Sequence, residues 1–285
     1  MVLLPGLSAV LPWPLCFRVF RRLARWRWLY RDVCQRALHE ARARGVVDDE
    51  ARWHWMRRLV TLVDHADYYL SRTRGNKWLA RHVTVEGAWP APGNAGILCT
   101  FHWSAGMWGL YSAAHAHLRA HALVATLDQT AFEGRTVLDW YARTRIAEVT
   151  RVLGQCALNV SASLRPAIRA LRDGEQVIAA VDVPADQAAA SEPITLMGMP
   201  ARIPRGLLRL AVDRRVPVTV HVTGFDTRTG QRQVRIVQLG VYDDLPALLR
   251  DVFGHLEAAL AQDPAAWHLW SEAARFFNRD KQFGV

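Results

Sequence analysis

An apolar run near residue 100 ends in a histidine. Gly96-Ile97-Leu98-Cys99-Thr100-Phe101 leads into His102, and Trp103-Ser104-Ala105-Gly106-Met107-Trp108 follows. The run predicts a buried strand, and the residues after it predict the start of a helix. His102 then stands at the carboxyl end of a strand, the edge where ligands bind in open α/β sheets. A helix N-terminus beside it favours negative charge. An imidazole there can take a proton from an attacking hydroxyl or amine; the plainer alternative is a histidine that caps the turn. Asp182 ends a second apolar run, Val177–Asp182, on a candidate neighbouring strand. Its carboxylate could orient such a base and stabilise its charged form.

The same turn permits another chemistry. His102-Trp103-Ser104-Ala105-Gly106 resembles a G-x-S-x-G nucleophile elbow with His in place of the first Gly. Ser104 would then be the nucleophile of a serine hydrolase, although a side chain at the first position would crowd the turn. His115, His117 and His121 fall on one predicted helix, and the i,i+4 pair His117/His121 could in principle hold a metal. No Glu separates them in an H-E-x-x-H pattern and no third ligand stands out, so packing or surface roles are expected and no metal is. Cys16, Cys34, Cys99 and Cys156 form no C-x-x-C pair and read as ordinary, mostly buried thiols in a reducing compartment.

The elements that must position these residues follow from periodicity. Predicted strands are Ile97–Phe101, Ala122–Leu127, Cys156–Val160, Val177–Asp182, Val216–Val222 and Val234–Leu239. Predicted helices between and after them are Ala105–Leu118, Thr136–Thr150, Ser163–Arg172, Arg205–Val212 and Leu245–Ala261. Strands alternating with helical crossovers mean an α/β fold with a mixed, largely parallel sheet flanked by helices. Residues 30–80 read as further helix, and Ala88-Trp89-Pro90-Ala91-Pro92-Gly93-Asn94 punctuates the chain. The expected organisation is a helical N-terminal segment over residues 1–85 and an α/β domain over residues 86–285 that forms one compact unit.

With 285 residues, 51% apolar and 22% charged, the chain can bury a sizeable core and is neither disordered nor collagen-like. Its unusual features are 12 Trp and a net charge of +10. Part of that charge is concentrated at the start, where Arg18, Arg21, Arg22, Arg25, Arg27 and Arg31 all precede the first acid, Asp32. The apolar stretch from Met1 to Phe20 is interrupted by Pro5, Pro12 and Pro14, too broken to span a bilayer. The positive charges follow the apolar part and no A-x-A-like site is evident, unlike a secretory signal. Residues 1–31 suit a helical layer lying in a membrane headgroup region, where each cation contributes roughly 1 kcal/mol near an anionic surface. The alternative is a core-packing helix with a solvated Arg face. No phosphate loop, zinc-finger spacing or RNP block appears, so nucleic acid is not an expected partner.

From its N-terminal segment to Ala266-Trp267-His268-Leu269-Trp270, the chain resembles the bacterial lipid A late (lauroyl/myristoyl) acyltransferases, within the wider lysophospholipid acyltransferase superfamily. His102 matches the histidine of that family's H-x4-[D/E] motif. Pro166-Ala167-Ile168-Arg169-Ala170-Leu171-Arg172-Asp173-Gly174-Glu175 is similar to its helix and turn before a strand, and Asp182 stands where the family carries an aspartate. Leu196-Met197-Gly198-Met199-Pro200-Ala201 and Pro204-Arg205-Gly206-Leu207-Leu208-Arg209-Leu210-Ala211 resemble its F-G-x-P-A … P-x-G-x-x-x-L-A block.

The resemblance implies transfer of a fatty acyl group from an acyl-carrier-protein or coenzyme A thioester to a hydroxyl or amine, with His102 as general base and no further cofactor. It implies an acidic carrier protein or CoA thioester, a lipid or small-molecule acceptor and an anionic membrane surface as partners, at the cytoplasmic side of a bacterial inner membrane. Arg151 matches the family's arginine upstream of the aspartate, with Arg143 and Arg145 as close rivals. A guanidinium there could bind phosphate or the thioester oxyanion, or simply face solvent. Trp103 and Arg205 are further substrate-binding candidates.

The sharpest departure is Met107, which occupies the position of the H-x4-[D/E] acid. A thioether cannot stabilise an imidazolium. Asp182 could substitute, the acceptor could need only a weak base, or the chain could be an impaired homologue kept for binding.

Overall fold

The computed structural model of the chain describes residues 3–124, 136–160, 163–188 and 190–277. Helices α1 (Leu3–Val10), α2 (Trp13–Leu23), α3 (Arg31–Ala43), α4 (Glu50–Thr73) and α5 (Asn76–His82) come first. The α/β part follows as β1 (Val83–Glu86), β2 (Gly96–Thr100), α6 (Met107–His115), β3 (Ala120–Val124), α7 (Thr136–Leu153), β4 (Leu158–Asn159), α8 (Arg165–Arg172) and β5 (Gln176–Ala180). It continues as β6 (Ser191–Leu196), β7 (Met199–Pro204), α9 (Gly206–Arg214), β8 (Val218–Phe225), β9 (Arg232–Gly240), α10 (Leu245–Gln262) and α11 (Ala274–Phe277). The expected strand Ala122–Leu127 overlaps β3, and its residues 125–127 lie outside the described residues.

Among the described residues, seven strands form one sheet in the order β1-β9-β8-β2-β5-β3-β4. The sheet is mixed and largely parallel: only β8 and β9 pair antiparallel. β2 lies at its centre, and Ile97, Leu98 and Cys99 have no exposed surface. That explains its unbroken apolar run, since a parallel strand covered on both faces needs no polar alternation. Ile97 and Cys99 face a core shared with α8, α9 and α10, whereas Leu98 faces the core beneath α6 and α7.

Two strand features depart from the expected elements. β1 joins the edge of the sheet through β9, carrying the helical segment into the α/β part. β6 and β7 form a separate antiparallel hairpin. Its turn residues Met197 and Gly198 have φ of 54° and 71°, the positive pair that a type I′ turn requires.

Helix α4 connects the cores. Asp49 caps its N-terminus by accepting the Arg52 amide at 3.0 Å. Trp53, Met56 and Val60 join the α8–α10 core, while Leu59, Leu62, Val63, Ala66 and Leu70 pack with the N-terminal helices. Its Asp67 forms a fully buried ion pair with Arg232 of β9, and the Arg232 guanidinium lies 3.8 Å from the Trp13 ring centroid of α2.

The N-terminal stripe read as headgroup-facing is largely core. Trp13, Cys16, Phe17, Phe20 and Leu23 of α2 are buried, because α4 and the sheet supply the apolar partner that sequence alone attributed to lipid. Leu3, Val10, Leu15, Trp26 and Trp28 remain exposed. Among the described residues no helix is long and apolar enough to cross a membrane.

Candidate active site

The register between β2 and β5 brings two candidate side chains together. Thr100 pairs with Ala180, and the amide of Val181 donates to the Thr100 carbonyl at 2.9 Å. Two residues beyond that pairing on each strand stand His102 and Asp182, 80 positions apart in the chain. The His102 amide lies 2.9 Å from both Asp182 carboxylate oxygens, and Nδ1 of His102 lies 3.0 Å from Oδ1. Trp267 completes the arrangement by donating its indole Nε1–H to Oδ2 at 2.8 Å.

Asp182 is wholly buried, whereas the His102 side chain is 41% exposed. With Nδ1–H donating to the carboxylate, Nε2 is left as the basic atom. Burial opposes charge on the ring, but the Asp182 carboxylate and its hydrogen bonds outweigh it and raise the His102 pKa above its ordinary 6.5. This is the geometry of an oriented base, assembled at the carboxyl edge of the sheet.

The loop carrying His102 is clamped from the far end of the chain. The His268 amide donates to the His102 carbonyl at 2.8 Å, and the Ser104 amide donates to the Ala266 carbonyl at 3.0 Å. Arg57 of α4, itself buried, fixes that C-terminal segment by donating to the carbonyls of Ala265, Trp267 and His268. Burial pushes the His268 pKa down, so its neutral ring donates Nε2–H to the Ser104 carbonyl at 2.9 Å. Ser104 takes a φ of 43°, which ends the strand path and delays α6 to Met107.

The other sequence candidates have definite places. Met107 is 2% exposed inside the core, so the acid beside His102 comes from another strand. Arg145 donates to Asp64 of α4 at 2.7 Å. Burial opposes ionisation of Asp64, but Arg145 outweighs it and holds the carboxyl below its usual range; the Asp64 field in turn reaches His102 and His268. Arg151 is held by buried Glu148, the Ser71 carbonyl and the Tyr111 hydroxyl, and Arg143 pairs with Asp139. Arg205 is exposed at the α9 N-terminus and pairs with Glu192 of the hairpin. Thus Arg145 pairs with Asp64 and its field reaches His268, while Arg151 and Arg205 pair with Glu148 and Glu192.

Trp103 is buried and lines, with Ser104, Phe225 and His255, a cavity of about 160 Å³. The serine is buried, and its hydrogen bond to a histidine runs through its carbonyl. The three histidines expected on one helix are divided: α6 ends at His115, His117 occupies the turn with φ of 60°, and His121 lies on β3. The break comes where the left-handed residue reverses the chain into the strand. His121 contacts the Cys156 carbonyl and Glu175. Among the described residues no group of three His, Cys, Asp or Glu is arranged to hold a metal ion. All four cysteines are free, and Cys156 is exposed.

An apolar groove of about 380 Å³ opens at the same edge of the sheet, and neither His102 nor Asp182 lines it. Val181 and Val183, the neighbours of Asp182, line it together with Leu123, Val160, Leu207 and Leu208. Its walls come from β3, β5 and α9, so it lies along the same edge of the sheet as His102.

Sequence reasoning named His102 and Asp182, which the structure places in contact, but missed the indole N–H of Trp267 and the clamp by Arg57. The Trp267 block carries a visible signal, two Trp within Trp267-His268-Leu269-Trp270, but nothing local says which polar group an indole will meet. No known protein-family model matches the chain, and no curated protein matches its sequence.

Proposed function

We propose that the protein is an acyltransferase that moves a fatty acyl group from an acyl-carrier-protein or coenzyme A thioester to a hydroxyl or amine. The observation that carries this reading is the exposed imidazole of His102, oriented through Nδ1 by buried Asp182 at the sheet edge that also carries an apolar groove. A base, a neighbouring apolar channel and an open approach are what acyl transfer from a thioester requires. The ordered motif resemblance to the lipid A late acyltransferases supports the same chemistry.

In this mechanism Nε2 of His102 takes the proton from the acceptor as its oxygen or nitrogen attacks the thioester carbonyl carbon. The tetrahedral intermediate collapses with cleavage of the carbon–sulfur bond, and the imidazolium returns the proton to the departing thiolate. Asp182 stabilises the imidazolium between these steps. Arg145, paired with Asp64, and Arg151 are candidates for binding a donor phosphate. The groove beside Val181 and Val183 receives the acyl chain. Reaction is direct, with no covalent enzyme intermediate.

The working place is the cytoplasmic surface of a bacterial inner membrane, peripheral or monotopic. Support comes from Trp26 and Trp28, exposed and stacked at 5.3 Å between centroids, with exposed Arg22, Arg25, Arg27 and Arg31 around them. The excess positive charge also suits an acidic carrier protein.

The test is to incubate purified protein with long-chain acyl-CoA or acyl-carrier protein and a panel of hydroxyl and amine acceptors, measuring thiol release and acylated product. Product formation that survives in wild type and disappears in His102→Ala supports the assignment. An active His102→Ala would remove His102 as the base, and binding without thiol release would make the chain a non-catalytic lipid- or carrier-binding protein.

A further inference from the structure

We infer that Trp267 is a positioning residue for the His102–Asp182 pair, holding the carboxylate in the orientation that serves the imidazole; this rests on the reading of His102 as the base. The two oxygens of Asp182 are divided between different side-chain donors. Oδ1 faces Nδ1 of His102 at 3.0 Å, and Oδ2 accepts the indole N–H of Trp267 at 2.8 Å. The torsion that turns a carboxylate about its Cβ–Cγ bond is broad, so backbone geometry alone leaves the plane of the group loosely defined. A donor on each side fixes it.

The indole is itself immobile. Trp267 has no exposed surface, and its ring packs edge-on against Trp270 at 5.0 Å and against Phe276 at 5.4 Å between centroids. Its backbone bridges to Trp103, and its carbonyl accepts from Arg57 at 2.6 Å. An indole offers one N–H and no acceptor, so it cannot compete for the proton of His102. Its single N–H holds Oδ2 and leaves Oδ1 facing Nδ1 of His102.

A residue that only fills space would act through volume; Trp267 acts through one N–H directed at one carboxylate. The experiment is a pH titration of His102 by NMR in the full-length chain labelled with ¹⁵N at histidine. Wild type is compared with Trp267→Phe, Asp182→Asn and the double variant. Trp267→Phe frees the carboxylate to turn away from Nδ1 and is expected to lower the His102 midpoint by about 0.5–1 pH unit, roughly a three- to tenfold loss of proton affinity. In the Asp182→Asn background the same substitution is expected to leave the midpoint unchanged. A midpoint that stays or rises in the single variant, or an equal shift in both backgrounds, overturns the inference.

A second measurement covers the case in which Trp267→Phe does not fold. In the unmodified protein the Trp267 indole ¹H–¹⁵N resonance should move with the His102 titration, and a resonance indifferent to it overturns the assignment. Neither readout needs turnover. Expected shifts in a protein without transferase activity would sink the catalytic reading alone, while absent shifts in an active enzyme would sink only the function given to Trp267.

Discussion

Asp182 is a carboxyl group with no exposed surface, and the groups around it make that possible. Its oxygens accept from an amide, an imidazole and an indole, so the buried carboxylate is satisfied on both sides. Replacing it by Asn removes the charge that stabilises an imidazolium and puts a donor where an acceptor is needed. Asp182→Asn is expected to lower turnover on the order of 10⁴-fold, as for a triad aspartate, with the circular dichroism of the folded chain retained. The pH dependence has a definite sign. A raised His102 pKa places the acid limb of kcat/KM above 6.5, and in Asp182→Asn the limb should move to lower pH as burial takes over. The pH-dependent part of the pair's stabilisation is fully present below His102's unfolded value and is lost as pH rises through its higher folded value. A limb below 6.5 in wild type would contradict the pairing.

At the scale of elements, the site depends on how helices approach the sheet. α6 follows the His102 turn and lies against β8 so closely that a Cβ on Gly109 would stand 2.6 Å from the His221 ring and 2.8 Å from Thr223 Oγ1. Both neighbours are buried, leaving little room to yield. Gly109→Ala is expected to destabilise the fold by about 1–3 kcal/mol, read from urea unfolding, through overpacking. α4 acts on the site through Arg57, whose guanidinium serves three carbonyls of the C-terminal segment. Arg57→Met should cost about 3 kcal/mol or more, since buried carbonyls lose their donor, and should lower activity as Trp267 loosens. Unchanged unfolding and activity would show that the clamp is dispensable. The strands and helices of the α/β part were legible because apolar period is local. β1 and the hairpin were not: Val83–Glu86 is a short edge strand with three exposed residues, and Met197–Gly198 carries none of the Asn-Gly or Asp-Gly signal of a tight turn.

For the whole molecule, the N-terminal helices and the sheet are joined by polar groups in an apolar setting. Asp67 and Arg232 have no exposed surface, with Trp13, Trp78 and Trp108 around the guanidinium. Asp67→Asn leaves a buried cation without its partner and is expected to cost about 3–5 kcal/mol, seen as a lower unfolding midpoint. The outer surface of the same layer presents the Trp26–Trp28 stack, whose backbone is held by Arg58 donating to the carbonyls of Ala24 and Leu29. Binding to phosphatidylglycerol vesicles, weakened by salt and absent with phosphatidylcholine, is the expected behaviour of that corner. Trp26→Ser with Trp28→Ser should reduce sedimentation with the vesicles; equal binding by wild type and variant would remove the corner from the membrane reading.

Local sequence determined a great deal: an apolar strand ending in His102, a second ending near Asp182, and helices between them, because burial on both faces writes a continuous apolar run into a strand. It also placed a concentrated positive charge at the start of the chain. Tertiary structure decided the relations between segments. The parallel register of β2 and β5 sets Asp182 beside His102, while Met107, five residues from the histidine, goes into the core. The apolar stripe of α2 finds α4 and the sheet as its partners. The physical reason is common to these cases: hydrophobic period reports that a face must be covered, but which group covers it, and which donor meets a buried carboxylate, depends on residues distant in the chain.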